Sequence, residues 1–295
     1  MSSAKATLHG AISIVNAIAT GKGATLGISL KTEATVKTSV GKGIVLKLEN
    51  GTFSSRLINK VVEKVVPKKI LNKNKLEISI RSEVPTGYGL KSSSSTSSAV
   101  ALACAKLFNP TWSDQKILLA GVEASIQTKV SITGAYDDAC GCYYGGFVVT
   151  DNYQRKIIKS EKGPKNLSSV IFIPRSRKRG KIKNLKNLSP VFEQAWRLAK
   201  NSDYWNAMVL NGLAASTILN SDPQIITELL ERGALGASIS GNGPAIAAIV
   251  KKRDVQNIKK VFSSHEGKTI VSEINNKRAD VHELWNWKNY YLWKN

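Results

Sequence analysis

Acidic residues are scarce in this chain. Its 295 residues carry 43 lysines and arginines against 21 aspartates and glutamates, a formal net charge of +22. A field of that sign attracts anions: nucleotides, small acids or nucleic acid. The excess is not a basic tail, since 18 basic and 9 acidic residues lie up to Thr150 and 25 and 12 after it. Cysteine is also scarce. Cys104, Cys140 and Cys142 do not make a secreted disulfide framework. Cys140 and Cys142 lack further Cys or His ligands nearby, so they read as small packing residues. The three histidines, His9, His265 and His282, are scattered and form no metal pattern. Long apolar runs are missing, and none approaches the roughly 18 residues of a transmembrane helix. Ala11 to Ala19 is broken by Asn16 and preceded only by Lys5, which argues against a signal peptide. A cytoplasmic protein without a membrane partner is expected. Internal repeats are absent. Hydrophobic residues still make up 42%, enough for the core of two ordinary domains or one large one.

What is present centres on Pro85 to Ala99, Pro-Thr-Gly-Tyr-Gly-Leu-Lys-Ser-Ser-Ser-Ser-Thr-Ser-Ser-Ala. Lys75 to Arg81 before it alternates apolar and polar residues, as a strand does. Ala99 to Phe108 after it is rich in helix formers. A glycine-bearing turn therefore joins a strand to a helix start. Gly87 and Gly89 let the backbone approach a ligand. The six serines and one threonine of Ser92 to Ser98 stand where helix caps are favoured. Free N–H groups and the dipole of a helix start bind phosphate. Lys91 adds a positive charge. A flexible serine linker would lack the flanking strand and apolar helix. The spacing is not that of a P-loop.

The pattern Pro-x-x-x-Gly-Leu-x-Ser-Ser resembles the phosphate loop of the GHMP kinases, the superfamily of galactokinase, homoserine kinase and mevalonate kinase. Lysine at position 91 is most similar to the archaeal-type shikimate kinases. The phrase Ile-Val-Asn-Ala-Ile-Ala-Thr-Gly-Lys-Gly-Ala, from Ile14 to Ala24, is similar to the first motif of that family. The turn Ser-Gly-Asn-Gly-Pro-Ala, ending at Ala245, resembles the third motif, which supports the phosphate loop from the other lobe. Three motifs in order span nearly the whole chain.

The resemblance implies an α+β, two-lobed GHMP kinase fold. An S5 domain 2-like N-terminal lobe would occupy residues 1–160, and a ferredoxin-like C-terminal lobe residues 161–295. ATP would contact Pro85, Thr86, Gly87, Tyr88, Gly89 and Leu90 in the turn. It would then meet Lys91, Ser92, Ser93, Ser94 and Ser95 at the helix start, with Gly241 and Gly243 from the third motif. Asn16, Lys22, Thr133 and Asp137 would face the substrate. Lys5, five residues before Gly10, matches the mevalonate kinase lysine near the transferred phosphate. Mg²⁺ would be held by Ser93 and Glu123.

Asp137 and Asp138 lie amid small and aromatic residues in Thr133 to Gly146. Burying carboxylates demands partners or a function. An Asx-turn or a helix cap would also explain an Asp near Gly. In the resemblance, Asp138 lies seven residues before Gly145 of the Gly-Gly pair, where the family has its catalytic Asp. Asp137 would orient the site or bind substrate. The implied reaction is ATP-dependent phosphorylation of the shikimate 3-hydroxyl, on the route to chorismate and aromatic amino acids. Homoserine kinase is the first alternative within the superfamily. A basic nucleic-acid-binding protein is the alternative of another class. The missing RRM, KH and zinc motifs argue against nucleic acid as a partner. Homo-oligomerisation is compatible with the sequence.

Elsewhere, residues 32–56 alternate weakly and contain Gly41, Gly43 and Gly51, as in β-hairpins. Arg56 to Val66 has helical spacing, and Pro67 ends it. Ser113 or Asp114 caps a helix reaching about Thr128. Arg175 to Lys186 holds seven basic residues and no acid. It reads as a solvated loop, or as the source of an arginine for a carboxylate substrate. Three helices follow, from about Ser189, Asp203 and Pro223. The Trp- and Tyr-rich end, Trp285 to Trp293, is expected to pack as a terminal element.

Overall fold

In the computed structural model, which describes residues 2–50 and 52–284, two long antiparallel strands form the spine of the first sheet. They are β1 (Ser3–Val15) and β2 (Lys22–Val40). Alanine, leucine and isoleucine at alternate positions of β1 turn one face to the core, and from Leu8 to Val15 the strand is buried on both faces. The turn Asn16 to Gly21 carries the chain back into β2.

The next strand corrects the hairpin expectation for residues 32–56. β3 (Gly43–Leu48) does not pair with β2. It runs parallel to β4 (Asn74–Ser82), with α1 (Ser55–Val65) and α2 (Lys68–Leu71) as the crossover. A glycine cluster marks where the chain turns but not which strand it pairs with. α1 is amphipathic and buries Leu57, Ile58, Val61, Val62 and Val65, and the Ser54 side chain caps it by accepting from the Leu57 N–H.

α3 (Ser92–Phe108) starts seven residues earlier than the apolar run suggested. The serines are not caps but its first two turns, and all but Ser93 are buried. Small side chains let the helix lie close against β1 and β2. Ser95 and Ser97 return their hydroxyls to carbonyls three residues back. α4 (Asp114–Gln127), capped by Ser113, and α5 (Tyr136–Tyr144) follow. β5 (Phe147–Asp151) pairs with Lys22–Leu26 of β2, and β6 (Lys156–Glu161) pairs with β5. β4 covers Thr32–Val40 of the same edge of β2. Residues 27–31 are left between them, and the glycine-bearing turn of residues 85–91 leaves β4 at this gap.

The second sheet has strand order β10-β7-β9-β8 and is antiparallel throughout. Its elements are β7 (Leu167–Pro174), α6 (Ser189–Lys200), α7 (Tyr204–Leu219), α8 (Gln224–Glu231), β8 (Gly236–Ile239), β9 (Ile246–Lys251), α9 (Val255–Ser263) and β10 (Gly267–Glu273). That order and alternation are ferredoxin-like. β11 (Asp280–Glu283) then returns to the first sheet beside β1, so this segment belongs to the first lobe. The lobes share one hydrophobic core: Ile12, Ile14, Leu26, Ile28 and Leu90 pack with Ile171, Trp196, Met208 and Ile249. Trp285 to Trp293 lies outside the described residues. Among the described residues no helix is long and apolar enough to cross a membrane.

Candidate active site

A cavity of about 380 Å³ opens between the lobes at the start of α3. Gly87, Gly89, Lys91, Ser92, Ser93 and Ser94 form one wall. Gly89 has φ +82°, and a methyl group there would collide with the carbonyl oxygen of Ser240. Only glycine meets both conditions. The Ser240 hydroxyl donates to the Gly89 carbonyl at 2.8 Å, which ties the loop to the glycine turn of the second lobe. The first helical bond of α3 runs from the Ser95 N–H to the Lys91 carbonyl at 2.9 Å. The N–H groups of Ser92, Ser93 and Ser94 therefore have no intrahelical acceptor and are free to meet an anion.

Lys91 takes the left-handed conformation at φ 68° just before the helix. Its side chain is 3% exposed. Nζ does not stand free above the helix start. It donates to the Ser13 hydroxyl at 2.7 Å and pairs with Asp138 Oδ1 at 2.8 Å. Ser13 Oγ also accepts the Gly241 N–H at 2.9 Å. Ser13 thus links the lysine to the glycine turn.

The two aspartates sit in the first turn of α5, where the helix dipole favours negative charge. They differ in surroundings. Asp138 is partly open to the cavity and faces Lys91. Asp137 is 3% exposed. Asn152 clasps it, donating from Nδ2 to Oδ1 at 2.7 Å and accepting the Asp137 N–H at 3.0 Å. Gly23 lies so close that an added methyl would strike the Asp137 carboxylate. Burial pushes the Asp137 carboxyl up to about 7, and the charge of Asp138 adds to this, while Lys91 and the Asn152 hydrogen bond pull the other way. Held near 7, the Asp137 carboxyl can gain or lose its proton close to neutral pH.

Asn16, Thr133, Asp137, Asp138 and Gly241 also line the cavity. Asn16 is buried and spends its amide on the Gly241 carbonyl at 2.7 Å and the Ile18 N–H at 2.9 Å. Several expected ligand residues are placed elsewhere. Lys5 pairs with Glu33 at 2.7 Å. It lies eight residues from Ser13 along β1, about 26 Å at the rise of an extended strand. Glu123 pairs with Lys64 at 2.8 Å on the outer side of α4, in a second surface groove. Ser125, two residues on and therefore on the opposite helix face, lines the cavity. Lys22 pairs with Glu193 at 2.8 Å and lies over the Trp196 ring.

Within the loop, Leu90 is fully buried in the shared core. Ser95 faces Thr32 at 3.0 Å, away from the cavity. Pro85, Thr86 and Tyr88 shape the turn without lining the cavity, and the Tyr88 carbonyl accepts the Ala245 N–H. Gly243 closes the glycine turn through its N–H to the Ser240 carbonyl. Ser13, Asn152 and Arg179 were not singled out in the sequence. Ser13 had a signal, as a polar residue beside Asn16 in an apolar strand. Asn152 had none, because its partner is 15 residues away.

For a magnesium ion the donor chemistry is partly suitable. Ser93 and Asp138 are hard oxygen donors on the cavity wall, while Glu123 is too remote. Among the described residues no three His, Cys, Asp or Glu side chains cluster as a metal site.

Comparison with known proteins fits this geometry. The GHMP kinases N terminal domain family matches residues 56–146, and the GHMP kinases C terminal family matches residues 218–268. A shikimate kinase of Methanosarcina mazei is 38% identical over 285 residues, covering 93% of this chain and 95% of that protein. One from Pyrococcus furiosus is 38% identical over 246 residues, covering 81% and 88%. Among solved structures, homoserine kinase from Cytophaga hutchinsonii superposes with a TM-score of 0.72 at 20% identity, covering 95% of this chain and 97% of that one. Mevalonate kinase from Methanococcus jannaschii gives 0.74 at 17% identity, covering 92% and 98%. These structures show the fold alone. The sequence relatives go further, and with them the chain belongs to the GHMP kinase superfamily and, within it, to the shikimate kinase family.

Proposed function

We propose that the protein is a cytoplasmic enzyme that transfers the γ-phosphoryl group of ATP to the 3-hydroxyl of shikimate. The observation that carries the reaction class is the meeting of a helix start and a carboxylate in one cavity. The free N–H groups of Ser92 to Ser94 cradle phosphate oxygens, and their alignment with the dipole of α3 favours the anion. Asp138, on the facing helix start, receives or orients the proton of the attacking hydroxyl. Lys91 holds Asp138 in place and brings a positive charge beside the transferring group. It fills the role expected of Lys5. Asp137, in its protonated form, offers the substrate a hydrogen-bond donor, and Asn152 fixes its rotamer.

Ser93 and Asp138 are the residues that would hold Mg²⁺, which when bound neutralises charge on the phosphate oxygens. The choice of shikimate rests on the identity shared with shikimate kinases over nine tenths of the chain. A coupled ADP-release assay with shikimate, homoserine, mevalonate and galactose tests it. Shikimate is expected to be turned over fastest. Turnover of homoserine with none of shikimate would overturn the substrate and leave the kinase reading standing.

A further inference from the structure

Two cations line the cavity among the described residues, Lys91 and Arg179. Lys91 is already matched by Asp138. Arg179 meets no carboxylate among the described residues. Its Nη1 donates to the backbone carbonyls of Asn242 at 3.3 Å and Gly243 at 3.2 Å. The other arginines of the run are engaged elsewhere. Arg175 faces Glu266, and Arg177 lies over the Tyr88 ring at 4.8 Å. Anchoring one nitrogen of a planar guanidinium fixes its plane and leaves the remaining N–H groups as a fork, a shape that matches a carboxylate.

The position of that fork is defined by neighbours. Asn242 and Gly243, which Arg179 grips, adjoin Gly241. Gly241 bonds to Asn16 and to Ser13, and Ser13 bonds to Lys91, which reaches Asp138. Ile18 and Ile182 line the cavity beside this path and present apolar surface. The phosphate groups of a nucleotide are already served by the helix start. A second anion in the cavity needs a side-chain cation, and Arg179 is the one without a carboxylate.

We infer that Arg179 is the specificity residue for the carboxylate of the acceptor, with Ile18 and Ile182 flanking the acceptor's ring. This rests on the kinase reading above and adds which end of a hydroxy acid faces which lobe: hydroxyl at Asp138, carboxylate at Arg179. Arg179 is exposed on a loop, so substitution spares the core.

The test compares wild type, Arg179→Lys and Arg179→Ala by steady-state kinetics on shikimate and on its uncharged methyl ester. Loss of a charge-assisted fork is expected to raise the shikimate KM of Arg179→Ala by about 10- to 100-fold, with the ATP KM within about twofold. Arg179→Lys should fall between, since a point charge keeps attraction without the fork. Wild type should prefer the acid to the ester, and Arg179→Ala should lose that preference. A raised ATP KM with an unchanged shikimate KM would overturn the assignment, as would an intact preference for the acid in Arg179→Ala. If wild type phosphorylates homoserine and not shikimate, the substrate named above is wrong, and the same comparison on homoserine and its ester decides Arg179. If it phosphorylates only alcohols lacking a carboxylate, both readings fall.

Discussion

Asp137 and Asp138 are neighbours in unlike surroundings, and substitution by asparagine separates the tasks proposed for them. Asp138→Asn keeps the shape and removes the basicity. General-base contributions run to roughly 10²–10⁴-fold, so kcat should drop by about that factor. The ATP KM should change little, because the phosphate cradle proposed above is the backbone of a different element. Asp137→Asn is expected to act on stability with a definite sign. Burial holds its folded carboxyl at about 7, above the ordinary aspartate value of 3.8. Between those values the folded state binds a proton that the unfolded state has released. Stability therefore falls as pH rises through this window, and the full penalty is present above it. Asparagine carries no such penalty. Urea melts at pH 4 and pH 8 should show Asp137→Asn gaining on wild type at pH 8 and not at pH 4. An equal difference at both pH values would mean that folding does not raise the Asp137 carboxyl above its ordinary value.

At the scale of elements, the site depends on how the phosphate-loop turn is clamped. Leu90 plugs into the core shared by both lobes, and Gly89 lies against the carbonyl of Ser240. Gly89→Ala would need both a strained φ and a displaced glycine turn. The prediction is a rise of at least tenfold in ATP KM, together with a lower melting temperature, measured by kinetics and calorimetry on the same preparation. An unchanged ATP KM would separate the loop's seating from nucleotide binding. This strand–turn–helix was legible in the sequence because its signals are local: alternation, glycines, then helix formers. The helices that begin near Ser189, Asp203 and Pro223 were legible for the same reason, whereas the ferredoxin-like arrangement of their lobe was implied by the family resemblance and not by any local signal. What was not legible depended on partners distant in sequence. Lys5 stands at a plausible spacing before Gly10, but spacing does not reveal that β1 carries it away from the cavity. Glu123 lies on the correct helix and the wrong face. Lys91 was seen as a charge near phosphate, whereas its pairing with Asp138 spans 47 positions and appears only once α3 and α5 pack together.

At the scale of the molecule, the cleft keeps its geometry only if the lobes behave as one body. Two features bind them. One is the shared core, and the other is a buried polar link through Asn211 of α7. Asn211 is fully buried, and its Oδ1 accepts the Asn16 N–H at 2.8 Å while Nδ2 donates to Ser238 Oγ at 2.8 Å. Asn16 carries the link onward to the carbonyl of Gly241. The end of β1 is thus tied to a helix and to the glycine turn of the other lobe, in the cavity that Asp137 and Asp138 also line. Asn211→Ala leaves the Asn16 N–H buried without an acceptor, at a cost of about 1–3 kcal/mol. For a chain of this size each kcal/mol lowers the melting temperature by roughly 2–4 °C. If the shared core couples the lobes, calorimetry should show a single transition at a lower temperature, with no early melting of one lobe. Asn16 lines the cavity, so loosening it should also raise the KM of the acceptor more than that of ATP, whose cradle on α3 has its own anchor in Leu90. Two separated transitions in Asn211→Ala would show that the polar link, and not the apolar core, makes the lobes one cooperative unit.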